Sequence, residues 1–273
     1  MSAAANDRES PSLSVCVLAY NDEAILARCL EALSFADEIV VVVDAKSTDG
    51  SEKIAQDMAT RVSVHRYVGD VEQKQHLQSL AENEWILLID SDEVVSHELA
   101  IAIREFLANR GKDSSIAGCE VNRLTFHLGR WLRHGDFYPD WKLRLYRSSE
   151  AEIVGNNPHG RVQVTGQVRR LIGDLEHFSY RNLSDQVRRI QRFSEEGAAS
   201  LFAQRKPFRL VDLCLRPPAR FLRAYVLKRG FLDGVPGLIV AGATAVYVFL
   251  KYAKLWEIMR KQGPQDCEIE THT

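Results

Sequence analysis

The sequence of 273 residues contains no closely spaced cysteine pairs. Its five cysteines are scattered along the chain, at Cys16, Cys29, Cys119, Cys214 and Cys267, and none forms a C-x-x-C motif. An odd, unpaired set of this kind indicates a reducing compartment. It excludes a disulfide framework and counts against a structural zinc site.

Glycine-rich phosphate loops are also missing. Neither G-x-G-x-x-G nor G-x-x-x-x-G-K-[ST] occurs, which counts against a dinucleotide enzyme and a P-loop NTPase. The polar segment 1–12 lacks an apolar stretch, so we expect a short flexible tail there and no secretory signal.

Charge is distributed unevenly along the chain. Charged residues make up 26% and hydrophobic residues 45% of the sequence, as in an ordinary globular protein, and the net charge is -2. Between Arg181 and Arg229, however, twelve Lys or Arg stand against four Asp or Glu. Such a basic segment indicates an anionic partner, either a phosphate-bearing surface or nucleic acid.

The first half of the chain alternates between two kinds of pattern. Short apolar runs predict buried strands at 13–19, 39–43, 62–67 and 85–89. The segments between them have helical spacing, as with Ile25, Cys29 and Leu33. This alternation predicts an α/β fold with helices on both faces of the sheet, and ligands bind such sheets outside the carboxyl ends of the strands.

Acidic and polar residues follow three of these predicted strands, in the segments 20–23, 44–50 and 90–93. A site rich in carboxylates repels a bare diphosphate, so it needs a divalent cation such as Mg²⁺ or Mn²⁺ between them. Asp90 and Asp92 can reach the same region if the chain turns after the fourth strand. The sequence therefore predicts a metal-assisted diphosphate site.

Each of these motifs has a plainer interpretation. An isolated D-x-D is more often a solvated turn or a helix cap. The Ser47-Thr48-Asp49 segment alone most often caps a helix, here one that begins near Ser51. The occurrence of all three motifs at successive strand ends favours the ligand site.

These segments resemble glycosyltransferase family 2, which has the GT-A fold. The motifs that carry the resemblance are 13–23 with Cys29-Leu30, 36–44, Ser47-Thr48-Asp49 and Asp90-Ser91-Asp92-Glu93. Further segments resemble the lipopolysaccharide core glucosyltransferase branch of that family in bacteria. They are 134–140, 143–147, 177–180, 231–234 and 252–256. The resemblance extends from Leu13 to Trp256.

The resemblance implies a Rossmann-like mixed sheet with helices on both faces, followed by a helical membrane-associating region. The GT-A domain would span 13–180, with a donor-binding half at 13–125 and an acceptor half at 126–180. The membrane-associating region would span 181–262, and 263–273 would be a tail.

The resemblance also implies roles for residues on the donor side. Asp44 would bind the base or ribose of the nucleotide, with Tyr20 and Glu23 in the same pocket. Asp90 would lie near the ribose and the metal.

Asp92 would bind the metal that bridges the donor diphosphate. Lys74 matches a basic position near the donor, although a solvated helix face is the plainer interpretation. His177 would be a further metal or phosphate contact, against a packed core histidine as the alternative.

Family members usually invert the anomeric carbon in one displacement, which requires a carboxylate base. Relatives in this branch often carry His-Glu where this chain has His159-Gly160, so the base is a different residue or is lacking. Asp140 and Asp136 are the candidates. Asp140 is favoured because it precedes the predicted strand at 142–145, although a turn residue after Pro139 is the alternative.

The last third of the chain is predicted to be helical and to contact a membrane. A helix is expected at 182–204, and a basic, apolar segment at 208–229 is interrupted by Pro217-Pro218. Seventeen uncharged residues separate Asp233 from Lys251. This is the short limit for a spanning helix, so an in-plane helix and a buried helix on the sheet are alternatives.

The basic stretch favours an anionic membrane surface, at the cytoplasmic face of the bacterial inner membrane. No nucleic-acid motif is present, so nucleic acid is not expected as a partner.

Three functions are consistent with the sequence. The first is an inverting transferase that moves a hexose, glucose from UDP-glucose, to a lipid A-core acceptor in the lipopolysaccharide inner core. The second has the same chemistry with another lipid-linked glycan or capsule precursor. The third is a catalytically silent scaffold that binds the donor, an idea that Gly160 motivates.

Overall fold

The computed structural model describes residues 11–155 and 160–261. The predicted tail at 263–273, almost all of the tail predicted at 1–12, and His159 lie outside the described residues.

The described chain begins as an alternation of strands and helices, as the sequence predicts. The strands are β1 (Leu13–Ala19), β2 (Glu38–Asp44), β3 (Arg61–His65), β4 (Trp85–Asp90), β5 (Glu93–Val95), β6 (Ile116–His127), β7 (Arg130–Trp131), β8 (Trp141–Arg147), β9 (Ala151–Val154), β10 (Arg161–Val164) and β11 (Gln167–His177). The helices are α1 (Glu23–Glu31), α2 (Ser51–Met58), α3 (Asp70–Ser79), α4 (His97–Arg110), α5 (Leu183–Ala203), α6 (Leu210–Leu222) and α7 (Gly234–Lys261).

Nine strands form a mixed sheet in the order β3-β2-β1-β4-β8-β6-β11-β5, with β7 paired to β6, and β9 and β10 form a separate antiparallel pair. β1 pairs in parallel with β2 and β4, and β2 pairs in parallel with β3, so these four strands end at one edge. β8 runs antiparallel to β4 and β6. The predicted α/β class with a mixed sheet is therefore confirmed. The third strand ends at His65, two residues before its predicted end.

The parallel strands are apolar throughout because both of their faces are buried. Val15 and Val17 of β1 belong to the core that α1, α2 and α4 cover. Cys16, between them, points to the opposite face and packs with Leu77 of α3. Successive side chains of a strand alternate between the two faces, so a strand with helices on both sides has no polar face.

Contacts divide the chain into two compact units. The first contains Met1–Leu124 and Asp140–Ser179, and the second contains Thr125–Pro139 and Tyr180–Thr273. The segment 125–139 thus groups with the C-terminal helices. The functional boundaries drawn from the sequence, at 13–180 and 181–262, stay a prediction.

In the second unit, α5 and α7 pack together through Ala198, Tyr252 and Leu255. The interruption that we predicted at Pro217-Pro218 is wrong, because α6 runs through both prolines. Proline removes backbone N–H donors from a helix, yet α6 continues through Pro217, which is buried, and through Pro218. The helix widens only afterwards, in a π-helical turn at Arg223–Leu227.

The last helix is longer than the apolar segment seen in the sequence. α7 has 28 residues and continues past Lys251 and Lys254 to Lys261. The segment Gly230–Lys261 is long and apolar enough to cross a membrane. Its most apolar stretch of 18 residues has a mean hydropathy of 1.6, and 22% of that stretch is buried within the protein.

Candidate active site

The predicted turn after the fourth strand is present. β4 ends at Asp90 and β5 begins at Glu93, so Asp90 and Asp92 flank a sharp change of direction. The backbone N–H of Phe178 donates to the carbonyl of Asp92 at 2.8 Å. β5 pairs with β11 in a register that places His177 opposite Glu93. The pairing therefore brings His177, from the far end of the domain, to the D-x-D turn.

A buried guanidinium connects the carboxylates at this turn. Arg144 of β8 donates from Nη2 to Oε1 of Glu93 at 2.6 Å and to Oδ2 of Asp90 at 3.0 Å. The Glu93 side chain is completely buried, whereas that of Asp90 is 41% exposed. The second oxygen of Glu93 accepts from the Asp90 backbone N–H at 3.1 Å. Arg144 thus compensates the buried charge of Glu93 and fixes the Asp90 carboxylate.

The same guanidinium keeps Asp90 ionised. Desolvation acts to raise the pKa of Asp90, but the positive charge of Arg144, followed by that of Lys74, outweighs it and holds this pKa below its usual value. The Arg144 pKa is raised by Glu93 and Asp90 against the opposing effect of burial. Asp90 is therefore a carboxylate that stays charged, which suits a metal ligand or a hydrogen-bond acceptor for a ribose.

Asp140 belongs to an ion-pair network that reaches the same turn. Arg123 of β6 donates to Asp140 through Nε at 2.9 Å, and Lys142 lies 2.9 Å from the other carboxylate oxygen. Arg123 also contacts Glu93 at 3.4 Å. Desolvation acts to raise the pKa of Asp140, but Arg123 and then Lys142 lower it overall. The Asp140 side chain is 28% exposed, so solvent and ligands can reach it.

Asp92 and His177 lie side by side at the D-x-D turn. His177 Nε2 lies 3.4 Å from Asp92 Oδ2. A bond between Mg²⁺ and oxygen is roughly 2.0–2.1 Å long, so the two atoms are close enough for one ion to contact both. His177 Nδ1 is buried and has no hydrogen-bond partner among the described residues. Within the same residues, no group of three His, Cys, Asp or Glu could form a complete metal site. Such an incomplete ligand set fits an ion that takes its other ligands from a diphosphate and water.

The loops after β1 and β2 hold each other in place. The Thr48 N–H donates to Asn21 Oδ1 at 2.8 Å, and the Gly50 N–H donates to Glu23 Oε2 at 2.6 Å. Asp49 accepts from the Ser51 N–H at 3.1 Å, but the N-cap of α2 is Gly50 and has no side-chain cap hydrogen bond, so the predicted capping role of the 47–49 segment is not confirmed. Glu23 therefore stabilises the loop after β2, in addition to its predicted role in the donor pocket.

Two further donor-side residues lie at the ends of the parallel strands. Asp44, the last residue of β2, accepts from the Lys46 N–H at 3.0 Å and from the Tyr67 N–H at 3.4 Å. Tyr20 follows β1 directly and is 54% exposed. An exposed ring beside an oriented carboxylate is a suitable surface for a nucleoside, and the roles of both residues stay predictions.

The solvated interpretation of Lys74 is wrong, because this residue is buried on α3. Its ammonium lies 2.8 Å from Asp70 Oδ2 and donates to the Gly160 carbonyl at 3.0 Å. The Gly160 N–H in turn donates to Asp70 at 2.6 Å. A Cβ at position 160 would lie 2.8 Å from the same Asp70 oxygen. Glycine at position 160 therefore lets the backbone there lie close to α3, and Lys74 links α3 to the Gly160 carbonyl.

The second base candidate, Asp136, lies in the other compact unit. Its side chain is 4% exposed, and its oxygens lie 2.9 Å from Arg220 Nε and 3.1 Å from Lys228 Nζ. These contacts give Asp136 a structural role within the C-terminal helical unit.

Sequence reasoning assigned no role to Glu93, Arg144 or Arg123, which connect the site. Glu93 was visible only as the fourth residue of the D-S-D-E motif. Arg144 lies on an antiparallel strand that reaches β4 only through sheet pairing. A basic residue in the middle of a strand, with apolar residues on either side as at Arg144, is the signal that could have indicated a buried ion pair.

A known protein family matches the part of the chain that carries these strand ends. The family model described as glycosyl transferase family 2 matches residues 14–172, which include the strand ends described above. The chain belongs to this family. It is therefore a glycosyltransferase with a nucleotide-sugar donor, and the GT-A fold expected from the resemblance is confirmed.

Relatives of this family 2 transferase are similar over almost their whole length. An uncharacterized glycosyltransferase of Rickettsia typhi is 30% identical over 91% of this chain and 88% of its own. A lipopolysaccharide core biosynthesis glycosyltransferase of Rhizobium meliloti is 29% identical over 90% of this chain and 92% of its own.

Solved structures resemble the transferase more distantly. A mannosyltransferase from Pyrobaculum calidifontis, in complex with GDP-Man and Mn²⁺, is 16% identical, with a TM-score of 0.48 over 91% of this chain and 88% of its own. Residues 1–349 of S. aureus TarS are 14% identical, with a TM-score of 0.45 over 92% of each chain.

Replacing Arg144 tests whether the buried guanidinium supports the site. Arg144→Met removes the shorter guanidinium contact of the buried Glu93 carboxylate and leaves it the longer contact with Arg123, so we expect the free energy of unfolding at neutral pH to fall by about 3–5 kcal/mol in urea titrations. The lowered Asp90 pKa contributes stability that is present above about pH 3.9, the ordinary pKa, and is lost as the pH falls through the lowered value. This acid-dependent loss should be smaller in the variant.

The control is Arg104→Met, which removes a half-exposed partner of Asp37 and should cost about 0–1 kcal/mol. Equal losses for the two substitutions would contradict the role given to Arg144.

Proposed function

We propose that this protein is an inverting transferase that moves glucose from UDP-glucose to a hydroxyl group of a lipopolysaccharide inner-core acceptor. The observation that carries the proposal is the set of oriented carboxylates at the ends of β1, β2 and β4 in a family 2 domain. The similarity to the Rhizobium meliloti core biosynthesis enzyme over most of both chains supports this choice of acceptor.

In this proposal the strand ends bind the donor. Asp44 accepts hydrogen bonds from the base or the ribose, and the exposed ring of Tyr20 lies against the nucleoside. Glu23 holds the loop after β2 in the conformation that the pocket requires. Lys74 supplies positive charge near Asp90, as the Asp90 pKa indicates. Asp90 binds the ribose or the metal through a carboxylate that Arg144 keeps ionised.

We propose that Asp92 holds the divalent ion, Mg²⁺ or Mn²⁺, with Asp90 and His177 beside it. When bound, the ion neutralises the charge that develops on the leaving diphosphate. The protein's part is to orient Asp92, which it does through the Phe178 hydrogen bond and the nearby His177 ring.

Asp140 is our candidate for the base that takes the proton of the acceptor hydroxyl. It is more accessible than Asp136, at 28% against 4% exposure. Arg123 and Lys142 lower its pKa, so it is ionised at neutral pH and a weak base. It can remove the proton only if the hydroxyl becomes acidic as the bond to the sugar forms, which is the concerted path of an in-line displacement.

Two alternatives keep specific support. The same chemistry could act on another lipid-linked glycan or a capsule precursor, since the site residues do not select an acceptor. A silent, donor-binding scaffold is supported by Gly160, where a side chain would collide with Asp70. A glutamate at this position would require the Asp70 carboxylate to shift and Val71 to give way slightly.

We propose that the second unit associates with the cytoplasmic face of the bacterial inner membrane, either peripherally or through α7. Its helices expose many large apolar side chains, including Leu215, Leu227 and Val235. Only 22% of the most apolar α7 window is buried, which favours a lipid contact over a helix buried on the sheet. The basic residues between Arg181 and Arg229 suit an anionic leaflet.

Nucleotide release tests the transferase. Detergent-solubilised protein would be given a panel of nucleotide sugars, Mn²⁺ or Mg²⁺, and truncated lipopolysaccharide. We expect metal-dependent release from UDP-glucose, reduced at least about 100-fold in Asp92→Ala, because that variant loses charge stabilisation of the leaving group. Asp57→Ala, an exposed acid on α2, is the matched control and should retain full activity.

Asp140→Asn should lower kcat by about 100-fold or more.

Each result has a distinct meaning. Donor binding without turnover, even with acceptor, would replace the transferase with the silent scaffold. Turnover with a different acceptor would support the proposed transfer reaction but would show that the acceptor is another glycan. Neither binding nor turnover with any donor would refute the assignment of the strand-end carboxylates.

Vesicle binding tests the membrane surface. Leu215→Glu with Leu227→Glu places charge at two exposed apolar positions, so we expect affinity for anionic vesicles to fall at least about tenfold in flotation assays. Ile172→Glu, at an equally exposed position in the first unit, is the control and should bind normally. Unchanged binding of the double variant would show that this surface does not meet the lipid.

A further inference from the structure

A basic groove lies between α6 and α7 in the second unit, and no step of the proposed transfer uses it. Its volume is about 420 Å³, which is in the range of pockets that bind small ligands. Four cations and two aromatic rings line it: Arg216, Arg220, Arg223, Lys251, Tyr247 and Tyr252. Cations and tyrosines around a cavity are suited to an anionic, hydroxyl-bearing ligand.

The positive charges of the groove are only partly neutralised. Asp212 accepts from Arg216 at 2.6 Å, and Asp136 is shared between Arg220 and Lys228. In the part of the chain that the structure describes, neither Arg223 nor Lys251 has a carboxylate partner. Two of the four cations therefore have no carboxylate within ion-pair distance among the described residues.

Lys251 is held in the groove by its surroundings. Its ammonium lies 5.5 Å from the centre of the Tyr247 ring and 5.3 Å from that of Tyr252. Its aliphatic stem packs on α5, where a Cβ at Gly197 would lie 2.9 Å from Lys251 Cδ. Burial, then Arg216 and Arg220, lower the Lys251 pKa. The ammonium is thus fixed beside like charges, and a bound anion would relieve that repulsion.

We propose that the groove between α6 and α7 binds a phosphomonoester group, with Arg223 and Lys251 as its principal contacts. Two unpaired cations match the two negative charges of a phosphomonoester better than the single charge of a phosphodiester. A guanidinium binds phosphate oxygens in a bidentate manner, and an ammonium adds a point charge. The group could be carried by a lipid or be free in solution. Phosphomonoester binding by the groove does not depend on the proposed function. Only the further step of equating a phosphate-bearing lipid with the glycan acceptor rests on that function.

The test uses the full chain without donor or metal, so its outcome is independent of turnover. Phosphatidylcholine vesicles would contain equal fractions of either phosphatidic acid, a monoester, or phosphatidylglycerol, a diester. We expect Arg223→Gln with Lys251→Gln to weaken binding to phosphatidic acid about tenfold or more, because charge-assisted contacts are lost.

The matched control is Lys206→Gln with Arg209→Gln, which removes two exposed cations from the segment that enters α6. It should weaken binding to both lipids by the same small factor. Asp92→Ala should bind as the unaltered protein does, so a failure of the transferase assignment does not affect this result. If the groove variant loses its thermal transition, Lys251→Met, which keeps the stem against Gly197, replaces it.

Inorganic phosphate distinguishes the two sources of the group. Competition by millimolar phosphate that is lost in the groove variant would show that the site accepts the free group. Selective loss for phosphatidic acid without such competition would show that it requires the lipid-borne group. Equal losses for the groove and control variants on both lipids would overturn the proposal, because binding would then depend on overall charge alone.

Discussion

The guanidinium of Arg144, buried between the carboxylates of Glu93 and Asp90, is the contact on which the rest of the site depends. Glu93 is fully buried, and an unpaired charge in that position would cost several kcal/mol. Arg144 compensates that charge, and the same Nη2 also donates to Asp90 and orients it. Glu93 also accepts from the Asp90 backbone, so the turn that carries Asp92 is fixed from two directions.

This arrangement explains how a carboxylate-rich edge can exist before a ligand arrives. The buried acid has its counter-charge inside the sheet, from Arg144 on β8, which runs antiparallel to β4, and from Arg123 on β6, the next strand beyond β8. Asp92, by contrast, has only His177 within ion-pair distance among the described residues. The protein therefore satisfies the charges it buries and leaves the D-x-D turn able to accept a cation and a diphosphate.

Much of the fold could be predicted from the sequence, because buried parallel strands leave an unmistakable apolar pattern, as in 39–43. The donor-side motifs could also be found, since strand ends and their acidic residues are adjacent in the chain. Arg144 and Arg123 could not, because they reach the turn through antiparallel pairing across distant segments. The continuity of α6 through Pro217 was likewise hidden, since it depends on packing and not on local propensity.

Manganese binding with and without UDP tests the central claim, that Asp92 at the D-x-D turn holds a cation together with a diphosphate. Electron paramagnetic resonance titrations would compare the unaltered protein with Asp92→Asn and the exposed control Asp57→Asn. We expect UDP to strengthen Mn²⁺ binding at least about tenfold, because the protein supplies few ligands, and we expect only Asp92→Asn to lose this effect. If Asp92→Asn binds Mn²⁺ as tightly as the unaltered protein does, with the same dependence on UDP, this role of Asp92 is contradicted.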